Sequence, residues 1–327
     1  MKQLLLDRNL ALETVRVTEI AAIASSFHMG RGNEKAADQS AVNAMRDFLN
    51  VLDVNGKVVI GEGERDKAPM LYIGEKVGKG KTKVDIALDP LEGTSITAKG
   101  GENALSVLAI GEEGSFLHAP DIYMKKVAYG YKYEELEINI EDEPQKIIND
   151  FSNFSKIRPE NIVVCILDRP RHAELIQQVR STGARIKLIP DGDVSAVIAT
   201  SIDNSGIDLY MGTGGSPEGV LAAAALRCLG GKIYAKLLYE HEEVFERAKL
   251  MGVNNKNQIF KTQDLAKGDV MFSATGVTDG TLLKGVRISK NHAFTYSVVM
   301  RSETSTIRYI NANHNLNKKN ISHILNK

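Results

Sequence analysis

The apolar run Val84-Asp85-Ile86-Ala87-Leu88 ends in Asp89-Pro90-Leu91-Glu92-Gly93-Thr94, and this stretch constrains the chain more than any other. The run reads as a strand. Pro90 fixes its own φ and drives Asp89 toward an extended conformation, so Asp89 belongs at the strand's end and not in a helix. Gly93 lets the backbone approach a ligand closely, and amides beyond it can cradle an anion. Two carboxylates three residues apart on a tight turn suit a shared hard cation. The alternative is a strand-to-turn connection with solvated acids.

A shorter copy of the arrangement precedes it. Lys57-Val58-Val59-Ile60 reads as a strand that runs into Gly61-Glu62-Gly63-Glu64, again acids among glycines. Upstream, Leu12, Val15, Ile20, Ile23 and Phe27 recur near helical spacing, which predicts an amphipathic helix over 10–27. A second helix over 34–52 carries the stripe Val42, Met45, Leu49 and Leu52, and Asp38 falls on that stripe. An acid facing a core is costly unless it is paired or binds metal; near a helix start it can instead serve the helix dipole.

Downstream, Gly111 to Gly114 predicts a hairpin between 106–110 and 115–117. The acidic stretch 129–154 reads as a surface excursion near a domain boundary. From residue 162 onward, apolar strands at 162–167, 186–189 and 207–211 alternate with helices starting near Pro170, Val194 and Pro217. That pattern predicts an α/β layer with a mainly parallel sheet, ligands being bound at the strands' carboxyl ends. Arg169, Arg171, Asp191, Asp193 and the run Gly212 to Glu218 sit there. Glu218 follows Ser216, an expected N-cap, and Pro217 at the first helical position. A hairpin over 297–310 and an Asn- and Lys-rich tail close the chain. The expected halves are 1–155, α+β and carrying Asp89 to Thr94, and 156–327, α/β.

Asp-Pro-Leu-Glu-Gly-Thr resembles the Asp-Pro-hydrophobic-acid-Gly-Ser/Thr motif of the lithium-sensitive, inositol monophosphatase-like phosphatase superfamily. With Ile60-Gly61-Glu62-Gly63-Glu64 and Leu167-Asp168-Arg169-Pro170-Arg171-His172, the chain is similar to class II fructose-1,6-bisphosphatases over roughly residues 12–301. The resemblance implies a layered αβαβα sugar-phosphatase fold and Mn²⁺- or Mg²⁺-dependent hydrolysis of the 1-phosphate of fructose 1,6-bisphosphate, a gluconeogenic step in which the metal activates the attacking water. It implies that Asp38, Glu62, Asp89, Glu92 and Glu218 ligate two or more divalent ions. Thr94 would be catalytic, orienting the water, unless its hydroxyl is only a helix cap. Glu92, Gly93, Thr94, Tyr123, Arg169, Pro170, Arg171, Asp191, Gly192, Asp193 and Gly215 would contact substrate, and Lys35 is a weaker candidate for a phosphate partner. A homo-oligomer, dimer or tetramer, is expected.

Three rivals remain open. Sedoheptulose 1,7-bisphosphate is the near alternative substrate, alone or beside the fructose compound. A non-catalytic sugar-phosphate sensor would not need five metal-type acids and Thr94. Ile186 to Ser195 loosely copies the Asp-x-Asp-x-Thr motif of haloacid dehalogenase-type phosphatases, but Pro190 and Ser195 depart from it.

Composition removes other classes. Lys plus Arg and Asp plus Glu balance at 41 each, so no global charge attracts nucleic acid or an anionic membrane. No apolar run approaches the roughly 20 residues that span a bilayer. Cys165 and Cys228 lie in apolar segments, which suggests buried thiols in a reducing cytoplasm. The seven histidines form no pair at zinc spacing. Gly80-Lys81-Thr82 is not a P-loop, since Glu75 stands where its first glycine belongs.

Overall fold

The computed structural model describes residues 9–63 and 70–318. Glu64 and Arg65 of the loop after β1, and the tail beyond 318, lie outside the described residues. The N-terminal stretch comprises α1 (Leu10–Ser26), α2 (Glu34–Leu49), β1 (Asn55–Ile60), β2 (Lys76–Val77), β3 (Lys83–Glu92), α3 (Thr94–Lys99) and β4 (Leu105–Glu112). The middle of the chain adds β5 (Tyr123–Tyr129), α4 (Pro144–Ser155), β6 (Val163–Leu167), α5 (Ala173–Ser181), β7 (Arg185–Ile189), α6 (Asp193–Ala199), β8 (Leu209–Gly215), α7 (Ser216–Leu229), β9 (Lys232–Leu237), α8 (Glu242–Leu250), β10 (Ile259–Lys261) and α9 (Thr262–Leu265). The chain ends with β11 (Val270–Gly276), β12 (Arg287–Ser289), β13 (His292–Arg301) and β14 (Thr306–Asn315).

Two compact units result: Met1–Phe116 with Gly268–Lys327, and Leu117–Lys267. The sequence reading instead places a single cut after residue 155. The difference lies in the sheets. In the first unit the strands run β12-β13-β11-β4-β3-β1-β2, with β14 on β13, so the C-terminal strands complete a sheet begun before residue 116. Residues 129–154 are likewise not a boundary segment. Ile138, Ile140, Ile147, Ile148 and Phe151 are buried in the second unit's core, and its acids decorate the outside.

Both units layer helices on a mixed sheet, the α/β architecture expected. Among the described residues of the first unit only β1 and β3 pair in parallel. Helix α1 is buried on nearly every side, 13 of its 17 residues being inaccessible, so it is a central helix and not an amphipathic surface one. Leu12, assigned to the stripe, is 51% exposed. The polar groups of α1 are satisfied internally: the Thr18 hydroxyl lies 3.1 Å from that of Ser273 and 2.8 Å from that of Thr275. The hairpin expected at 111–114 does not form as a strand pair. β4 has β3 and β11 as neighbours, and Ser115 only closes a turn onto the Glu112 carbonyl. The C-terminal hairpin does form, as the full ten-residue ladder of β13 and β14.

The second unit's sheet is ordered β10-β9-β5-β8-β6-β7. Only β6/β7 and β6/β8 are parallel. β5, from before the first βαβ repeat, inserts antiparallel between β8 and β9, so the sheet is mixed where sequence alternation predicts a mainly parallel one. Val127 and Tyr129 of β5 pack with α4 and α5 residues on one face. Met124 and Lys126 alternate to the other face, where they meet Gly219 of α7.

Candidate active site

The acids of the first unit are brought together by strand pairing. β1 and β3 are parallel neighbours with Ile60 opposite Ala87, so their carboxyl ends point the same way and bring Glu62 and Asp89 to the same end of the sheet. The copied arrangement of the two motifs is thus one structural feature used on adjacent strands. α2 supplies Asp38 from its first turns, with the Asn33 side chain accepting the Ala36 N–H at 3.0 Å as the N-cap.

β3 does not stop at Asp89 but continues to Glu92. Asp89 faces Val107 and Glu92 faces Leu105, so three steps on β3 match two on β4. This is a bulge, a place where a proline without an N–H is tolerated. The Asp89 Oδ1 accepts the Leu91 N–H at 2.9 Å across it. In a regular strand residues three apart point to opposite faces. The extra residue realigns them, and carboxylate oxygens of Asp89 and Glu92 come within 4.8 Å of each other.

Electrostatics report the crowding. Burial, then the carboxylates of Asp89 and Asp38, hold the Glu62 carboxyl well above the usual carboxylate range. Burial also raises Asp38. Acids that disfavour one another's ionisation fit a divalent cation, which would reverse that cost. With oxygen donors only, the set suits Mg²⁺ or Mn²⁺ better than zinc.

Gly93 follows at φ 92°, the left-handed conformation that favours glycine, and occupies the N-cap of α3. Thr94 is therefore the first helical residue and not the cap. The Thr97 hydroxyl donates to the Gly93 carbonyl at 3.2 Å. Lys35 is exposed on α2.

In the second unit the carboxyl ends of β6, β7 and β8 share one edge, and antiparallel β5 brings Tyr123 opposite Gly215 there. Arg171 lies over the Tyr123 ring, 4.8 Å from its centroid, and donates twice to the Thr213 carbonyl, at 3.0 and 2.8 Å. Pro170 opens the 3₁₀ turn carrying Arg171 and His172. Arg169 approaches Asp191 at 3.7 Å. Gly192, at φ 82°, precedes α6. The Asp193 carboxylate is buried, and its Oδ2 accepts from both Lys126 and Tyr210.

Gly215, not Ser216, is the N-cap of α7, and the Ser216 hydroxyl is instead bonded to the Pro120 carbonyl. Glu218 folds back over Gly215, where a Cβ would lie 2.0 Å from its Oε2. A cavity of about 410 Å³ opens here, lined by Asp121, Tyr123, Gly215, Glu218, Leu238 and Glu240. His172 is 3% exposed and bridges β6 and β8 through the Leu167 carbonyl and the Thr213 N–H. Sequence reasoning missed Lys126 and Tyr210; the visible signal was Lys125-Lys126 set inside the otherwise apolar run Met124 to Tyr129.

Among the described residues no helix is long and apolar enough to cross a membrane. The family model for bacterial, glpX-encoded fructose-1,6-bisphosphatase matches residues 8–314. A protein of Synechocystis sp. (strain ATCC 27184 / PCC 6803 / Kazusa), named D-fructose 1,6-bisphosphatase class 2/sedoheptulose 1,7-bisphosphatase, is 43% identical over 94% of this chain and 97% of its own. A protein of the same name from Synechococcus sp. (strain JA-3-3Ab) is 41% identical over 94% and 96%. Matches of this extent, together with the acid cluster on β1, β3 and α2, show that the chain belongs to the family of bacterial, glpX-encoded class II fructose-1,6-bisphosphatases.

Proposed function

We propose that this protein is a Mn²⁺- or Mg²⁺-dependent phosphoric monoester hydrolase that releases the 1-phosphate of fructose 1,6-bisphosphate. The observation that carries the reading is the crowding of Glu62 by Asp89 and Asp38 at one end of the sheet, beside Glu92. Asp38, Glu62, Asp89 and Glu92 would hold the ions, and Glu218 is assigned as a fifth ligand on the family resemblance. Bound there, two or more such ions would neutralise phosphate oxygens, make water a better nucleophile and stabilise the leaving alkoxide.

The chain's own residues supply position. Thr94, with its hydroxyl not used as a cap, orients the attacking water, while Gly93 and Glu92 border the transferred phosphate. Arg169 and Arg171 bind the distal phosphate, an anion to which guanidinium forks are matched. Tyr123 fixes Arg171 from below by its ring face. Asp191 and Gly192 meet the sugar, Pro170 shapes the arginine turn, and Gly215 offers close backbone approach. Asp193 acts by holding its loop. Lys35 is left without a role in this reading.

The relatives' paired name favours sedoheptulose 1,7-bisphosphate as a second substrate of the same site. Phosphate release from each sugar by the purified protein, with and without added Mn²⁺ after chelation, tests both readings. A protein that binds either sugar phosphate but releases no phosphate in any metal would be a sensor.

A further inference from the structure

Lys126 sits on β5, paired with Gly212 on one side and Ala235 on the other, and is 1% exposed. Its Nζ donates to Asp193 Oδ2 at 2.6 Å and to the Gly215 carbonyl at 2.8 Å. The Tyr210 hydroxyl donates to the same Asp193 oxygen at 3.1 Å. One ammonium thereby ties the start of α6 to the turn between β8 and α7.

Glycines clear the space for this arrangement. A Cβ at Gly214 would lie 2.2 Å from Asp193 Oδ2 and 3.1 Å from Lys126 Nζ. At Gly219 it would lie 2.5 Å from Met124 Sδ and 3.6 Å from Lys126 Cδ, so the lysine stem runs beneath the first turn of α7. Stability does not call for this. A cation beside a helix N-terminus opposes the helix dipole, and a buried ion pair is on average no better than apolar residues of equal volume. A local conflict of this kind in an otherwise well-packed layer marks a functional constraint.

We propose that Lys126, with Tyr210, is a positioning residue: it locks the Asp191–Asp193 loop to the Gly215 turn at one spacing, so that the sugar phosphate meets a preformed surface. The inference rests on the bisphosphatase reading above. Releasing the lock lets the two segments move independently, which weakens substrate binding and misaligns what does bind.

The test compares wild type, Lys126→Met, Tyr210→Phe and Val127→Ala. Val127 is buried on the opposite face of the same strand and controls for a general loss of stability. KM and kcat for fructose 1,6-bisphosphate are measured with saturating Mn²⁺, well below each variant's melting temperature. Lys126→Met is expected to raise KM by on the order of tenfold and Tyr210→Phe by severalfold, with Val127→Ala within about twofold of wild type. If Lys126→Met does not fold, Tyr210→Phe carries the test. A folded Lys126→Met, or in its absence Tyr210→Phe, with KM within about twofold of wild type would overturn the assignment, as would an equal rise in Val127→Ala. A wild type that releases no phosphate would overturn the bisphosphatase reading and this assignment with it; an active wild type beside an unaltered variant overturns this assignment alone.

Discussion

The main-chain N–H of Thr213 donates to Nε2 of His172 at 2.8 Å. The ring proton is therefore on Nδ1, which donates to the Leu167 carbonyl at 2.8 Å. Arg171, the preceding residue, grips the Thr213 carbonyl, so two adjacent side chains clamp both polar groups of one residue on β8. The clamp needs a neutral imidazole, because a protonated Nε2 cannot accept.

A pH dependence of stability follows. Burial first, then Arg171 and Arg169, lower the His172 pKa from 6.5, against the opposing effects of the Leu167 carbonyl and Asp193. The unfolded chain then binds the proton more readily than the folded one. This contribution is complete above about 6.5 and is lost as pH falls from there through the folded pKa. His172→Ala should cost about 1–3 kcal/mol at pH 7.5, because the Thr213 N–H loses its buried acceptor. It should also flatten the acid side of the stability curve, read by urea unfolding at pH 7.5 and 5.5. An unchanged slope would show that the folded and unfolded chains bind the His172 proton equally, and would contradict the clamp.

Crowding at the acid cluster leads to a second expectation. Because Glu62 is raised by burial, Asp89 and Asp38, ionising it costs stability above the unfolded carboxylate pKa when no cation is present. Glu62→Gln should therefore raise the melting temperature of the chelator-treated protein at pH 8 by a few degrees, while activity falls on the order of a hundredfold. Differential scanning calorimetry in EDTA and a phosphate-release assay check the two halves. A lower melting temperature would mean that Glu62 is compensated by groups other than metal.

Thr94 separates structure from chemistry. Gly93 holds the N-cap of α3, so Thr94→Ala should leave stability within about 0.5 kcal/mol. It should lower kcat on the order of a hundredfold, and Thr94→Ser should keep most of it. Normal turnover in the alanine variant would assign the water to another group.

Asp89→Ala and Arg169→Ala should fail differently. Loss of a carboxylate at the reacting centre collapses kcat, whereas loss of a contact to the remote phosphate raises KM as well. Steady-state kinetics of the two variants distinguish them. Equal, mild losses at both positions would contradict the assignment.

Much of the candidate site is legible in the sequence because its motifs are local. The paired motifs at Glu62 and Asp89, and the arginine, aspartate and glycine runs after β6, β7 and β8, each follow a strand whose apolar run announces it. Parallel register then does the gathering, which sequence order can suggest. Non-local pairing was not legible. β5 inserting between β8 and β9, and β11 to β14 returning to β4, follow from sheet completion across 80 or more residues of chain, and they moved the unit boundaries. Lys126 was missed for the same reason: its partners Asp193 and Gly215 meet it only through that insertion. The Asp89–Glu92 bulge is not legible as one, because proline and glycine signal a strand end equally well.

The central claim is that carboxylate-held divalent ions drive hydrolysis of a sugar bisphosphate. Its most direct measurement is phosphate release from fructose 1,6-bisphosphate by exhaustively chelated protein, followed by titration with Mn²⁺ and separately Mg²⁺. The account predicts negligible release without metal, saturable recovery with at least one of the two ions, and no recovery in Asp89→Ala at the same concentrations. Full activity after chelation, or equal metal-stimulated activity in Asp89→Ala, would contradict it.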